Sequence, residues 1–361
     1  MAEPLKKMFN RAYFERLSHE VATSSPRVAQ ARLLKDLLKG NKQRELNARM
    51  RHTSDVLRTH LPQDFRKAIA VLKKVAPRMP KGYTALLYPD FIGQHGLSDT
   101  SFSLDALKHF TSFGSSEFAV REFFRRDPKG TLKVMRAWAE DDNEHVRRLA
   151  SEGSRPRLPW SFRLEAVLKD PKLTAPILER LRADDSLYVR KSVANHLNDI
   201  AKDHPTYMLE VLRSWDRSHP HTAWIAKHAS RTLIKAGNVD ALALFAFDSN
   251  VKVRVEALEL SPERLKLGEV LMFSFSLVSE AAREQQLVID YAIHYRKANG
   301  GSSRKVFKLK EITLGPRTSI DLTKRQRFID LSTRKHHPGE HVVEVLVNGN
   351  ALAEAAFQLK T

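Results

Sequence analysis

The segment VRRLASEGSRPRLPW, residues 146–160, holds the side chains of this chain best suited to chemistry. A helical run stops at Gly153 and gives way to a loop whose path is fixed by Gly and Pro and which carries Glu152, Arg155, Arg157 and Trp160. A carboxylate beside cations and an indole suits a site that receives a flat cationic base next to phosphates. The indole face attracts the cation, and the arginines hold the backbone. By composition alone Glu152 also reads as a surface charge and Trp160 as a core aromatic. One unit later, VRKSVANHLNDIAKDHP sets Asn195, Asn198 and Asp199 at a helix end, so that Glu152 and Asp199 take comparable places and can face one another. Paired carboxylates at a groove fit glycosidic bond cleavage, whose transition state is oxocarbenium-like and cationic. The competing assignment for Asn198 and Asp199 is a helix-end cap. Glu117 is expected in the first turn of its helix, where a carboxylate also complements the macrodipole. Trp224 and His228 stand one helical turn apart in HTAWIAKHASRTL, with Trp224 either buried between helices or stacked on a base.

Other chemistries lack their residues. There is no GxxxxGK[ST] phosphate loop, no GxGxxG after a strand and no GxSxG nucleophile elbow. With 0 Cys, disulfides, thiolate nucleophiles and zinc–cysteine sites are excluded. No HExxH spacing occurs among the histidines, and His336-His337 reads as a pair of solvated loop residues. We therefore expect no metal and no organic cofactor, and chemistry carried by carboxylates.

The elements that must position these groups are helices up to about Leu260, where apolar residues recur at spacings of 3 and 4. A unit recurs in which an apolar helix ends in an acidic turn and a second helix begins with Val-Arg. Aligned on Val146, Val189, Ile225 and Val253, the units are 43, 36 and 28 residues apart. The first two spacings lie near the period of HEAT-like helix pairs, and the last reads as a short capping repeat. The second helices carry Arg147, Arg148, Arg190, Lys191, Lys227, His228 and Arg231. Together with Arg155 and Arg157 these form the expected DNA-binding set. The alternative is that such cations solvate their helices and pair with the Asp-Asp turns of the neighbouring unit. The chain carries 61 Lys and Arg against 42 Asp and Glu, a net charge of +19 spread through folded segments, which points to a polyanion surface.

Near Pro262 the period changes to two: Leu271, Phe273, Phe275 and Leu277, then Leu287 to Tyr295, then Val343, Val345 and Val347. Asn348-Gly349 between apolar runs is a hairpin signal, and His341 stands where immunoglobulin-like domains often set a corner aromatic. The expected architecture is multidomain: an all-α HEAT-like solenoid at 1–261 and an all-β immunoglobulin-like sandwich at 262–361. The charged N-terminal run MAEPLKKMFNRAYFERL lacks a signal peptide's apolar core, which implies a cytoplasmic protein.

The stretches ASEGSRPRLPW, VRKSVANHLNDIAKDHP and HASRTLIKAG resemble the repeat signatures of the AlkC family of DNA alkylation repair proteins, within the AlkC/AlkD superfamily. That resemblance implies a monofunctional, cofactor-free DNA glycosylase that removes cationic alkylated bases, 3-methyladenine and 3-methylcytosine, from double-stranded DNA. It implies a monomer working in a bacterial cytoplasm at the nucleoid, reaching the lesion without swinging it into a deep pocket. Carried over by position, Glu152 and Asp199 become the acidic residues near the damaged nucleotide, Trp160 a contact to its sugar or base, and Glu117 a third carboxylate. A methylated base is already cationic and leaves without a general acid, so the enzyme need only stabilise the sugar cation and orient water. The rival function is a non-catalytic HEAT-type scaffold for distorted or branched nucleic acid.

Overall fold

The computed structural model describes residues 5–331 and 334–360; the first four residues of the charged N-terminal run lie outside the described residues. The chain clusters into two compact units, Met1–His204 with Trp215–Ala229, and Pro205–Ser214 with Ser230–Thr361.

Helices α1 (Arg11–Ser24), α2 (Gln30–Leu38), α3 (Leu46–His60) and α4 (Phe65–Val75) come first. They are followed by α5 (Leu87–His95), α6 (Thr100–Phe110), α7 (Val120–Arg126), α8 (Pro128–Trp138) and α9 (Glu144–Gly153). Next come α10 (Glu165–Lys169), α11 (Ala175–Arg180), α12 (Leu187–Ile200), α13 (Pro205–Ser214), α14 (Pro220–Ala229), α15 (Arg231–Lys235) and α16 (Val239–Ala243). Local signals start them. Asp64, Asp127 and Asn143 accept from backbone N–H groups of the first turns of α4, α8 and α9, and Pro128 sits at the first helical position, where its missing donor costs nothing. In the first unit α3 packs on α5 and α5 on α7, while α9 packs on α12 and α12 on α14. The second helices of successive pairs thus stack on one another, through the buried Val146, Val189 and Ile225 that define the repeat.

The fourth repeat is not helical. Val253–Ser261 is strand β1, antiparallel to a later strand. In KVRVEALEL the β-branched Val253 and Val255 alternate with Arg254 and Glu256, and that period of two prevails over the Val-Arg helix signature.

The remaining strands are β2 (Arg264–Lys266), β3 (Val270–Ser279), β4 (Gln285–Arg296), β5 (Ser302–Leu314), β6 (Ser319–Arg327), β7 (Gly339–Val347) and β8 (Asn350–Lys360). They form a three-stranded sheet, β1-β3-β6, and a five-stranded sheet, β2-β8-β7-β4-β5. Only β2 runs parallel to its neighbour, β8. The three alternating apolar sets of β3, β4 and β7 all point inward and make one core, as their parity requires. Asn348 and Gly349, with φ of 46° and 82°, close the β7–β8 hairpin. A Cβ on Gly349 would stand 2.1 Å from Gly237 Cα, so this turn and the end of α15 need bare backbone. His336 is buried, packed edge-on to Tyr295 and Phe328, and its backbone N–H donates to Asp330, which corrects its reading as a solvated loop residue. An imidazole that leaves its apolar ring edges among aromatics gains more from burial than from hydration. His341 is also buried, stacked on Phe357 with ring centroids 5.4 Å apart.

Candidate active site

Helix α9 ends at Gly153 because its backbone runs against α7: a Cβ there would lie 2.5 Å from Val120 Cγ1. The chain turns at once, with Arg155 N–H donating to Glu152 O at 3.3 Å and Ser154 Oγ to Ala150 O at 2.7 Å. Arg121, fully buried on α7, holds the loop from beneath. Its Nη1 donates to Gly153 O at 3.2 Å and Arg155 O at 2.6 Å, and its Nη2 donates to Phe162 O. Burial, then the neighbouring Arg155, lowers the Arg121 guanidinium to about 10, which leaves it charged at neutral pH.

The same turn brings the two carboxylates together. Arg155 donates through Nη1 to Glu152 Oε1 at 2.6 Å and through Nε to Asp199 Oδ2 at 2.8 Å, and its Nη2 lies 2.7 Å from that oxygen. Burial alone would depress this guanidinium, but Glu152 and Asp199 outweigh it and hold Arg155 above its ordinary value. The other carboxylate oxygens are also met: Ser192 Oγ donates to Glu152 Oε2 at 2.6 Å, and Lys202 Nζ to Asp199 Oδ1 at 2.9 Å. Both acids are buried, where a carboxylate without such partners would be costly. Behind them His196 is neutral, its ring pushed down to about 3 by burial. It is spanned between Ser151 O at 3.0 Å and Thr174 Oγ1 at 3.2 Å, which ties α12 to α9.

Glu117 closes a third side. It lies in the turn ahead of α7, not inside the helix, because α7 begins only at Val120. Arg148 Nη1 donates to the Glu117 carboxylate and to Ser115 Oγ at 2.8 Å, while its Nη2 stands 3.5 Å from Glu152 Oε1. The guanidinium also lies over the Tyr188 ring, 5.0 Å from its centroid. Glu117, Arg148, Glu152, Arg155, Tyr188 and Trp160 line one open pocket of about 660 Å³. Asp199 is absent from that lining and stands behind Arg155. Trp160 is 78% exposed with φ of 64°, a left-handed conformation that a bulky residue holds only where its surroundings impose it. A core position for Trp160 is therefore excluded.

The proposed DNA-binding cations divide. Arg147 pairs with Asp184 Oδ2 at 2.6 Å and donates to the backbone oxygens of Asp141 and Asp142, and Arg190 donates to those of Asp184 and Asp185, both at 2.8 Å. Arg147 thus meets the acidic turn of the neighbouring unit through Asp184, the alternative weighed above, while both arginines also reach back along their own helices to the carbonyls of their own turns. Arg157 pairs with Asp203 through two bonds, at 2.8 and 2.7 Å. Lys191 is exposed on α12. Lys227 and His228 lie on α14, where His228 stacks on the half-buried Trp224 at 5.0 Å and 8°, and Arg231 opens α15.

Arg121, Ser192 and Tyr188 join the cluster around Glu152 and Arg155, and sequence patterning passes them over. Arg121 and Ser192 carry a legible signal, a polar side chain on the apolar stripe of an amphipathic helix: AVREFF for Arg121, and Val189, Val193 and His196 around Ser192. Among the described residues no group of three or more His, Asp or Glu is placed to hold a metal ion, and no helix is long and apolar enough to cross a membrane.

Residues 108–233 match the family model described as DNA alkylation repair enzyme, and residues 254–361 that described as the C-terminal Ig-like domain of the uncharacterised protein YhaZ. The chain is 43% identical over 356 residues to the uncharacterized protein YhaZ of Bacillus subtilis (strain 168), covering 98% of this chain and 99% of that one. It is similar to the solved Pseudomonas fluorescens alkylpurine DNA glycosylase AlkC bound to DNA containing an abasic site analog. That match has a TM-score of 0.96 and 46% identity, over 99% of this chain and 100% of the other.

Proposed function

The chain belongs to the AlkC family of DNA alkylation repair proteins, and from that premise we propose that it hydrolyses the N-glycosidic bond of cationic alkylated bases in duplex DNA, chiefly 3-methyladenine and also 3-methylcytosine. The observation that carries this reading is the pair of buried carboxylates locked by one guanidinium at the wall of a pocket edged by an exposed indole.

The alkylated base already bears positive charge, so no acid is required of the protein. As the bond from C1′ to the base lengthens, positive charge moves to the deoxyribose. Glu152 and Glu117, held in place by Arg155, Ser192, Arg148 and Ser115, stabilise that charge without reorganising at the moment of reaction. Glu152 is the carboxylate placed to orient the attacking water, since it lines the pocket while Asp199 fixes Arg155 from behind. Trp160 stacks against the sugar or base. In this reading the protein acts as a monomer at the cytoplasmic nucleoid without metal or cofactor, and Lys191 of α12 with Lys227 and His228 of α14 hold the phosphates. The helical region, up to the strands, carries the chemistry.

The test is release of free 3-methyladenine from methylated duplex DNA by the purified chain. Release with first-order kinetics under enzyme excess supports the reading; DNA binding without release leaves the non-catalytic scaffold in its place.

A further inference from the structure

A second cavity, of about 630 Å³, adjoins the first and shares with it Tyr83, Leu86, Ser115, Phe118 and Trp160. Of its lining residues, only Trp160 and Ser115 enter the excision mechanism. Its apolar walls include Met50, Phe118, Phe162 and the Trp160 indole, and its polar end is a cluster on α3 and α5 with Arg51 exposed and Asp90 and Gln94 partly buried. There Arg51 Nη2 lies 2.8 Å from Asp90 Oδ1, Gln94 Nε2 donates to Asp90 Oδ2 at 2.7 Å, and the same amide donates to Ser54 Oγ at 3.0 Å. The Asp90 side chain is only 9% exposed.

We propose that this cavity is a binding site for the free nucleobase released by the reaction, an adenine-type heteroaromatic. The assignment rests on the glycosylase reading above and extends it to the product. Three features select this ligand class. The volume falls in the range of about 300–1,000 Å³ usual for small-molecule sites. A flat ring stacks on an indole whatever its sequence context. The hydrogen-bonding edge of adenine matches the Gln94 side-chain carbonyl, which can accept from N6, and the exposed Arg51 guanidinium, which can donate to N7, while Asp90 and Ser54 hold the Gln94 N–H groups in place. Phosphate is disfavoured, because Asp90 and Glu122 both line the cavity.

The chemistry explains the transfer between pockets. When the bond between C1′ and the base breaks, its electron pair stays on the base, which turns from cation to neutral molecule. Water oxygen bonds to C1′ and one proton is released. The neutral base has lost the charge that the acidic pocket stabilised and is held best by stacking and hydrogen bonds, which the adjoining cavity offers. Trp160 stands on both pocket walls.

Equilibrium dialysis of the full chain, without DNA, against free 3-methyladenine tests this, with single-turnover excision measured in parallel. The wild type should bind the base. Asp90→Asn should weaken binding about tenfold, and Ala48→Phe, which fills the cavity from an exposed position of α3, should abolish it while leaving the excision rate unchanged and relieving inhibition by added base. Ala48→Phe is the variant least able to disturb folding. A wild-type chain that excises but binds no free base, or equal binding by wild type and Ala48→Phe, overturns the proposal and leaves the glycosylase standing. Base bound by a chain that excises nothing keeps the cavity as a nucleobase site and removes the excision reading beneath it.

Discussion

Arginines meet acids at both ends of the α9–α12 pair, and the two ends do different things. At the helix starts, Arg147 and Arg190 fold back onto the Asp141-Asp142 and Asp184-Asp185 turns, Arg190 bonding to backbone oxygens and Arg147 to backbone oxygens and the Asp184 carboxylate. At their far ends, Arg155 is buried between Glu152 and Asp199 and every carboxylate oxygen has a side-chain donor. The difference is burial. A partly exposed arginine on a turn stabilises the repeat modestly, whereas a buried cluster of fixed charges is stored electrostatic energy that a cationic transition state can use.

Removing the buried cation should break this contrast most severely. Arg155→Met leaves two like charges buried without their common partner, and we expect a loss of about 3–5 kcal/mol in chemical unfolding of the helical unit. A loss below about 1 kcal/mol would mean the cluster is solvated like the turns. Trp160→Ala should leave stability unaltered, since the ring is exposed, and should lower excision by about tenfold to a hundredfold, the worth of about 1–3 kcal/mol of base stacking. Unchanged single-turnover rates would remove the indole from the site. Arg147→Ala should cost about 1–2 kcal/mol of stability with little change in DNA affinity. Lys191→Ala should do the reverse, lowering the slope of log affinity against log salt by about 1 at constant stability. If Arg147→Ala flattens the salt dependence as well, the turn arginines reach DNA.

The smallest effect at neutral pH involves His196. Its folded value of about 3 lies below the ordinary histidine range near 6.5, so the unfolded chain binds the extra proton first as pH falls. The stability it supports is complete above about 6.5 and is lost progressively down to about 3. Urea midpoints of the wild type should therefore fall through this window, and His196→Gln should follow a flatter curve.

The sandwich was legible almost strand by strand, because alternation with period two assigns each of Leu271–Leu277, Leu287–Tyr295 and Val343–Val347 to one face without reference to distant residues. The exception, Val253, carried two local signals at once, and only pairing with β3 decides between them. In the helical unit Glu152 and Asp199 were recognisable from their places in the repeat. That Arg155 would hold both, that Asp199 would stand behind it, and that Arg121 and Ser192 would complete the cluster depends on contacts more than thirty residues apart, which a local pattern cannot encode. The roles of Arg147 and Arg190 were open for the same reason, since a helix-face arginine looks alike whether it meets phosphate or its own turn.

The central claim is that the buried acids act in chemistry and not in binding. Single-turnover release of 3-methyladenine should be measured with wild type and with Glu152→Gln, Asp199→Asn and their double variant, alongside affinity for undamaged duplex. We predict that Glu152→Gln and the double variant lower the excision rate by at least about a hundredfold, the cost typical of removing one preorganised charge-stabilising group, with DNA affinity retained. Excision by the folded double variant at the wild-type rate would contradict the account.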